Sequence, residues 1–269
     1  MPVPWLAIEV IPTCGFPYAR ISHRRIWKIR ARFARPTVGG VSCKPLNQQA
    51  KCLDGGEPRP MKVVVCHSGG LDSSVCVIRA LNQGHELLSL GFNYGQRARI
   101  ELRYAKNLCD RFGVERKVFR VPRWSRPPRE THRDRDIEEI RQRPSRGFLP
   151  GRNAIFMCLA VTEAIGRDAD EVWLGLNCID SPGYPDCQPA FVEAFERMMT
   201  VGTDHPIAIR APLMDLSKPN IAAEAREYGL TRDDVWSCYR PRRKRGGSYE
   251  RCNSCDGCGV SNHAWEMIV

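Results

Sequence analysis

The sequence predicts an α/β fold built on a doubly wound, mostly parallel sheet. Short β-branched runs of strand length alternate with segments of helical apolar spacing from Lys62 onward, an alternation typical of βα units. The chain has 269 residues, 42% of them hydrophobic, which suffices for one core and a small appended module. In such folds, ligands bind outside the carboxyl ends of the strands. The loops that follow strands are therefore where a site is expected.

The first predicted strand leads directly into a glycine turn. Lys62–Cys66 reads KVVVC, and His67–Ser74 after it reads HSGGLDSS. Apolar residues then recur at Val75, Ile78 and Leu81, which is helical spacing. A strand, a turn and a helix start within about 20 residues can present backbone N–H groups to a phosphate.

The composition of this turn favours phosphate binding. Gly69 and Gly70 allow positive φ and a close approach to an anion. Ser73 and Ser74 are expected to cap the helix and to donate hydroxyl groups to phosphate oxygens. The turn is not a Walker A loop, because it lacks the lysine and the spacing of that motif. Ser-Gly-Gly also occurs in ordinary turns, but the flanking strand and helix make the phosphate interpretation the better one.

Further βα units are predicted before the pattern breaks. Leu87–Asn93 and Glu115–Val121 read as strands, and Arg97–Phe112 between them reads as a helix. Pro122–Gly147 is rich in Pro and Arg and poor in apolar residues. A loop of this length is usually a lid or simply mobile, and the sequence favours neither interpretation.

The second half of the chain supplies a loop with polar and aromatic side chains. A helix at Ala154–Ile165 and a strand at Glu171–Leu176 lead into residues 177–187, which read NCIDSPGYPDC. Because the loop follows a strand, we expect it to hold a small polar ring; a rigid surface loop is the alternative. The remaining predicted elements are a helix at Gln188–Met199, a strand at Ile207–Ile209, and a helix that Ser217 caps and that ends near Tyr228.

Four cysteines near the C-terminus have the spacing of a metal site. Cys252, Cys255 and Cys258 form two overlapping C-x-x-C steps, and Cys238 lies upstream. Four thiolates complete a tetrahedral zinc site, which would be structural because no position stays open. An iron–sulfur cluster also uses four cysteines and is the minor alternative. No signal peptide is apparent, so reduced thiols and a cytoplasmic location are expected.

Charge is distributed unevenly along the chain. The net charge is +11, yet residues 1–60 hold ten Lys or Arg against three Asp or Glu. Arg240–Arg245, RPRRKR, adds five positive charges. The remainder is close to neutral, so bulk charge does not argue for a nucleic-acid substrate. No apolar run reaches the ~20 residues of a membrane span.

Three regions are predicted from these patterns. Residues 1–60 are expected to be a leader that is disordered or not native, with a mitochondrial-type presequence as the minority interpretation. Residues 61–234 are expected to form the main α/β domain, which carries the phosphate-binding turn. Residues 235–269 are expected to form a zinc-binding segment with four cysteine ligands.

Several motifs occur in one order along the chain. Besides HSGGLDSS and the closing C-x-x-C-x-x-C, they are FNYGQR from Phe92, EL from Glu101, LPGRN from Leu149, GYPDC from Gly183, APLMDLSK from Ala211 and WSCY from Trp236. Together they resemble the 7-cyano-7-deazaguanine synthase family of the PP-loop ATP pyrophosphatase superfamily. The resemblance runs from Met61 to about Cys258 and implies a sheet like that of the adenine nucleotide α-hydrolases.

The resemblance also implies a reaction. The chain would be an ATP-dependent ligase in queuosine or other 7-deazapurine biosynthesis, with 7-carboxy-7-deazaguanine, ammonia and ATP as substrates and Mg²⁺ and Zn²⁺ as metals. ATP would adenylate the carboxylate, and ammonia would displace AMP to give an amide. A second activation would dehydrate the amide to the nitrile. A homodimer is left open, and neither a membrane nor a nucleic-acid partner is expected.

Roles for individual residues follow from the same resemblance. The residues expected to bind ATP are His67, Ser68, Gly69, Gly70, Leu71, Asp72, Ser73, Ser74 and Val75. Catalytic roles fall to Asp72, which would help to place Mg²⁺, to Ser73, and to Lys218 or Arg152, which would neutralise charge at the α-phosphate. The residues expected to contact the guanine-like ring are Phe92, Asn153, Asp180, Tyr184 and Asp186.

Two other interpretations stay open at this stage. The first is a PP-loop enzyme that modifies tRNA and uses the basic insert Arg240–Arg245 as an RNA contact. Steeply salt-dependent tRNA binding would favour it. The second is a non-catalytic, zinc-stapled ATP-binding module, which would bind ATP without releasing AMP.

Overall fold

A computed structural model describes residues 59–122, 149–177 and 184–268. All of them belong to the second of the two units into which the chain divides, Asp54–Val269. The predictions for the leader, for most of Pro122–Gly147 and for Asp180 lie outside the described residues. None of the helices in the described ranges is long and apolar enough to cross a membrane.

The predicted doubly wound sheet is confirmed. Five strands pair in parallel in the order β3-β2-β1-β4-β5. The strands are β1 Lys62–Cys66, β2 Glu86–Asn93, β3 Glu115–Arg120, β4 Glu171–Leu174 and β5 Ala208–Arg210. The chain leaves β1 toward β2 on one side and later adds β4 on the other. The loops after β1 and β4 therefore diverge, which opens a crevice at the carboxyl edge of the sheet.

Helices cover both faces of the sheet. They are α1 Leu71–Asn82, α2 Glu101–Phe112, α3 Arg152–Ile165, α4 Pro189–Thr203, α5 Lys218–Glu227 and α6 Asp256–Glu266. The valines of β1 divide between two cores because side chains alternate along a strand. Val63 and Val65 pack with residues of α1, α2, α5 and α6, whereas Val64 packs with residues of α3 and α4.

Some predicted boundaries and two predicted caps are wrong. Helix α1 begins at Leu71, and its N-cap Gly70 makes no side-chain cap hydrogen bond, so Ser73 and Ser74 are not caps. Helix α2 begins at Glu101, because residues 97–100 form a turn in which the Glu101 N–H donates to the carbonyl of Ala98. The cap at Ser217 is confirmed, since its side chain accepts from the N–H of Asn220.

The basic insert forms a small hairpin. Strand β6, Arg242–Arg243, pairs antiparallel with β7, Tyr249–Glu250, and the residues from Arg242 to Tyr249 are exposed. The insert therefore extends outward from the segment that carries the cysteines. This agrees with the expectation that like charges repel one another and avoid burial.

Gly69 makes the turn after β1 possible. Its φ is +97°, and a Cβ built on it would lie 2.2 Å from the carbonyl oxygen of Glu101 in the first turn of α2. Gly84, just after α1, also has a positive φ of +75°, but a Cβ there would have no atom within 4 Å. A comparison of substitutions at these two glycines therefore separates the cost of a positive φ from the cost of a steric clash.

We expect Gly69→Ala to destabilise the protein much more than Gly84→Ala. The positive φ alone should cost about 1–2 kcal/mol at either position. At Gly69 the clash with backbone should add about 1–3 kcal/mol of overpacking. Urea unfolding of the two variants measures the difference, and equal losses would show that α2 can move away from the turn without cost.

Candidate functional site

A cavity of about 570 Å³ lies beyond the carboxyl ends of the strands. It brings together residues that lie far apart in the sequence. Among its lining residues are predicted site residues from the turn after β1, the end of β2, the start of α3 and the segment before α4: His67, Ser68, Ser73, Phe92, Arg152, Asn153, Tyr184 and Asp186. The edge of the sheet that the topology favours is therefore the edge at which the predicted residues meet.

Ser68 and Ser73 define the phosphate loop, His67–Ser74. Their hydroxyl groups are hydrogen-bonded at 3.0 Å, and the Ser68 N–H donates to Ser73 Oγ at 3.2 Å. The Gly70 N–H donates in turn to Ser68 Oγ at 3.2 Å. Both hydroxyls line the cavity at the start of α1, where the helix dipole and free N–H groups favour an anion.

Three buried side chains pack beneath the phosphate loop: those of Leu71 and Ser74 within it and of Val75 directly after it. Ser74 is 1% exposed, and its hydroxyl contacts His67 Nε2 at 3.2 Å. Leu71 and Val75 pack in the core. Side chains in these positions cannot reach the cavity, so any contact of these three residues with a nucleotide would come from their backbone.

A buried polar cluster lies beneath the phosphate loop. His67 Nδ1 is 2.8 Å from Ser89 Oγ, and Arg116 donates to Ser89 Oγ at 2.7 Å and to the His67 carbonyl at 3.3 Å. Burial, followed by the charge of Arg116, holds the pKa of His67 well below its usual range. His67 is therefore neutral, and Arg116 places a fixed positive charge beneath the loop.

Asp72 and Lys218 form an ion pair beside the loop. Asp72 lies in the first turn of α1 and Lys218 in the first turn of α5, so the pair links two helices that are far apart in sequence. Lys218 is buried. The ion pair thus joins two of the predicted catalytic residues, and Lys218 is not a solvated surface lysine.

Arg152 and Asp186 form a second polar group in the cavity. Arg152 is hydrogen-bonded to the Tyr94 side chain; burial opposes its charge, but Tyr94 and Asp186 raise its pKa. Burial raises the pKa of Asp186, and its Oδ2 has no hydrogen-bond partner among the described residues. A buried acceptor left without a partner in a cavity wall is suited to a ligand N–H. Asn153 Nδ2 donates to the Asp186 carbonyl at 3.3 Å and so braces this segment.

Aromatic rings line one side of the cavity. Phe92 is stacked on Phe156, with ring centroids 4.2 Å apart and an interplanar angle of 3°. Tyr94 lies against the same Phe156 ring at 5.3 Å. One face of Phe92 is therefore occupied by this stack, and Tyr184 also lines the cavity.

The sequence did not identify Glu101 as a site residue. Its carboxylate lines the cavity and accepts from Gln96 Nε2 at 3.1 Å. Burial raises the pKa of Glu101 to about 7, against the lowering effect of Gln96 and of the Arg152 and Arg116 charges. Glu101 was noticed only as part of the EL motif, because its place in the cavity depends on where α2 begins and packs.

The four predicted metal ligands converge. The sulfur atoms of Cys238, Cys252, Cys255 and Cys258 all lie within 4.8 Å of one another. Cys255 is the residue before α6, and Cys258 lies in the first turn of that helix. Tetrahedral zinc with Zn–S bonds of about 2.3 Å requires sulfurs about 3.8 Å apart, and Cys252 Sγ is 3.9 Å from Cys258 Sγ. The cluster could therefore hold a metal such as zinc.

The cysteine cluster contacts the phosphate loop directly. The Trp236 N–H, two residues before Cys238, donates to the Gly69 carbonyl at 2.8 Å. The Tyr239 N–H donates to Cys255 Sγ at 3.4 Å, and the Tyr239 ring lines the cavity. The segment that carries the cysteines is thereby joined to the loop and to one wall of the cavity.

Comparison with known proteins gives consistent matches. The family model described as "Queuosine biosynthesis protein QueC" matches residues 62–269. 7-cyano-7-deazaguanine synthase 2 of Rhodopseudomonas palustris (strain HaA2) is 42% identical over 207 residues, covering 77% of this chain and 98% of the relative. 7-cyano-7-deazaguanine synthase of Thermoplasma acidophilum is 34% identical over 73% of this chain and 84% of the relative.

Solved structures are more distant. The U34-tRNA thiolase NcsA from Methanococcus maripaludis, solved with its 4Fe-4S cluster, is 16% identical with a TM-score of 0.43. The similarity covers 79% of this chain and 71% of that chain. It is too low to assign any chemistry.

Glu101→Gln should stabilise the fold at neutral pH. The pKa of Glu101 rises from an ordinary 4.5 to about 7 in the folded protein, so the folded state binds the proton more tightly than the unfolded chain. Stability is then lost as pH rises from about 4.5 to about 7 and does not return above that range. Glutamine cannot ionise, so the variant should gain up to about 3 kcal/mol at pH 8 and little near pH 4.5. Urea unfolding at the two pH values measures this.

Glu86→Gln is the matched control. Glu86 is an exposed glutamate at the start of β2, so its replacement should change stability by less than about 0.5 kcal/mol at both pH values. A gain in Glu101→Gln that is the same at both pH values would contradict the ionisation argument.

Proposed function

This chain belongs to the queuosine biosynthesis protein QueC family, and we propose that it converts 7-carboxy-7-deazaguanine, ammonia and ATP to 7-cyano-7-deazaguanine. The observation that carries the proposal is the family match over residues 62–269. It spans every element of the cavity and all four clustered cysteines. The relative of 42% identity is covered over 98% of its length and is named a 7-cyano-7-deazaguanine synthase.

The phosphate loop is suited to the pyrophosphate that leaves on adenylation. Its glycines bring backbone close to an anion, and the Ser68 and Ser73 hydroxyls line the cavity beside it. Lys218 lies beside the loop and Arg152 lies in the cavity wall, so both can offset charge that develops at the α-phosphate. The carboxylate of Asp72 is the type of oxygen ligand that Mg²⁺ prefers. Asp72 would bind Mg²⁺ and also keep its ion pair with Lys218.

We assign ring binding to the part of the cavity that is lined by the start of α3 and by the segment before α4. Asp186 Oδ2 supplies a hydrogen-bond acceptor for the N–H edge of a guanine-like ring, and Asn153 holds the Asp186 backbone. Tyr184 would stack on the ring, with Phe92 supporting the aromatic wall through Phe156. Asp180 stays a prediction from the sequence.

The three-part organisation is part of the proposal. Residues 61–234 would form the catalytic domain, residues 235–269 a zinc-stapled segment, and residues 1–60 a leader without a catalytic role. The first core strand begins at Lys62, which supports the boundary. The cytoplasm is the proposed location, and a homodimer stays a prediction.

The reaction is tested by exchange between ATP and pyrophosphate that depends on an added carboxylic acid substrate. We expect exchange with 7-carboxy-7-deazaguanine, and AMP and nitrile only when ammonia is added. Ser73→Ala should lower exchange about 100-fold, because it removes a phosphate-loop hydroxyl that lies at the cavity where the leaving pyrophosphate would bind. Asp72 is the poorer choice, because its replacement would also break the ion pair with buried Lys218.

The control for this experiment is Thr162→Ala. Its hydroxyl donates to a carbonyl four residues earlier on an exposed part of α3, at 2.9 Å. Exchange should be unchanged in this variant. Exchange with another acid but not with 7-carboxy-7-deazaguanine would disprove the substrate, and tight, salt-dependent tRNA binding without exchange would favour the tRNA-modifying alternative.

We propose that the cysteine cluster holds one zinc ion, bound by Cys238, Cys252, Cys255 and Cys258. Chelation should lower the melting temperature, because unscreened thiolates this close would repel or have to take up protons. Cys255→Ser should reduce bound zinc and weaken the loop contact through Trp236. Cys76→Ser, at a buried cysteine of α1, is the control, since it should keep the zinc. Elemental analysis decides, and iron with a visible absorption band would replace zinc by a cluster.

A further inference from the structure

The side chain of Glu101 lines the same cavity as the phosphate loop. Glu101 is the first residue of α2, and its carbonyl oxygen packs so closely on Gly69 that no Cβ fits between them. Ser68 and Ser73 line that cavity as well. An acid that is adenylated at the phosphate loop would therefore share the cavity with this carboxylate.

Glu101 is oriented by an amide and not by a cation. Gln96 Nε2 donates to Glu101 Oε1 at 3.1 Å and to the Phe92 carbonyl at 3.0 Å. The Tyr94 N–H donates to Gln96 Oε1 at 3.1 Å, so the amide cannot rotate without losing bonds. Glu101 forms no ion pair in the part of the chain that the structure describes, although the charges of Arg152 and Arg116 act on it from farther away. Its carboxylate is therefore not neutralised by a direct contact.

Two positive charges act on Glu101, that of Arg152 in the cavity wall and that of Arg116 beneath the phosphate loop. The other titratable side chains that line the cavity are His67, Tyr94, Arg97, Tyr184, Asp186 and Tyr239. Burial outweighs the two arginine charges and raises the pKa of Glu101 to about 7. The group can thus both accept and release a proton near neutral pH.

We propose that Glu101 is the base of the nitrogen-donor site, where it binds ammonium and takes the proton that must leave before nitrogen can attack. This inference rests on the proposed function. Ammonium has no lone pair, and it is the main form of the donor at neutral pH. A carboxylate that forms no ion pair with the described residues, in a cavity that Tyr94 and Phe156 also line, provides the kind of surroundings that stabilise a small cation.

The step balances without a further reagent. One proton passes from ammonium to Glu101, and the nitrogen lone pair forms a C–N bond to the carbonyl carbon of the acyl adenylate. The C–O bond to AMP breaks, and AMP leaves with that electron pair. The added nitrogen loses its second proton to water, which leaves the neutral amide. Glu101 then returns its own proton to water before the next turnover.

A comparison of ammonium and hydroxylamine as nucleophiles in Glu101→Gln separates a role in proton transfer from a structural role. We expect acid-dependent ATP–pyrophosphate exchange to stay within about threefold of the unmodified protein, because adenylation needs no ammonia. Ammonium-dependent AMP release should fall about 100-fold or more. Hydroxylamine is a much weaker base and is largely unprotonated at neutral pH, so hydroxamate formation should persist in the variant.

The pH profile gives a second, independent readout. At a fixed concentration of ammonium, amide formation by the unmodified protein should fall as pH drops below about 7, because Glu101 becomes protonated, and should level off above it. The Glu101→Gln variant, which depends on free ammonia, should show no break near pH 7, and Glu86→Gln should keep the break. A structural role for Glu101 would lower exchange, ammonium-dependent and hydroxylamine-dependent rates together.

The outcomes are distinguishable from those of the proposed function. Absence of exchange in the unmodified protein would overturn the proposed reaction. Exchange that persists in Glu101→Gln together with an unchanged rate with ammonium would overturn only the role of Glu101. If the glutamine variant does not fold, Glu101→Asp decides by the same ratio of ammonium to hydroxylamine rates, which a displaced carboxylate should lower and a spectator residue should leave unchanged.

Discussion

The close contact at Gly69 is the constraint on which the site depends. On one side the first turn of α2 lies where a Cβ would be, with the carbonyl oxygen of Glu101 at 2.2 Å from that position. On the other side the Gly69 carbonyl accepts the Trp236 N–H at 2.8 Å. A single residue without a side chain thus fixes the phosphate loop against α2 and against the cysteine segment. Any displacement of the loop must disturb both neighbours.

Local patterns predicted the parts of the molecule that local physics determines. β-branched runs gave the strands, the glycine turn gave the phosphate loop, and the C-x-x-C steps gave a cluster whose sulfurs do converge. The predicted caps at Ser73 and Ser74 failed because the turn ends at Gly70, which leaves both serines inside the helix. Glu101 and Arg116 escaped prediction because their surroundings come from other elements, which no spacing in the sequence reveals.

Positive charge around the loop would stabilise the anion of the proposed reaction and is costly without one. Arg116 lies beneath the loop among His67 and Ser89, Lys218 lies beside it, and Arg152 lies across the cavity. Each is held by polar partners, so none needs to reorganise when a phosphate arrives, which is how preorganised charges lower a barrier. Burial also disfavours the charged form of Glu101 and so raises its pKa. Such sites sacrifice stability for function.

One cavity can serve both activations of the proposed reaction, because the oxygen to be adenylated stays on the same substituent of the ring. The acid presents a carboxylate oxygen in the first round, and the amide presents its carbonyl oxygen in the second. With the ring held near Asp186 and the loop emptied of pyrophosphate, the amide needs no new site.

The two halves of the proposed reaction differ in the proton that must leave, which comes from ammonium in the first half and from the amide nitrogen in the second. Both lie on the nitrogen, so a base placed for the first departure is also placed for the second. The fixed position of Glu101 against Gly69 is therefore compatible with both halves of the reaction.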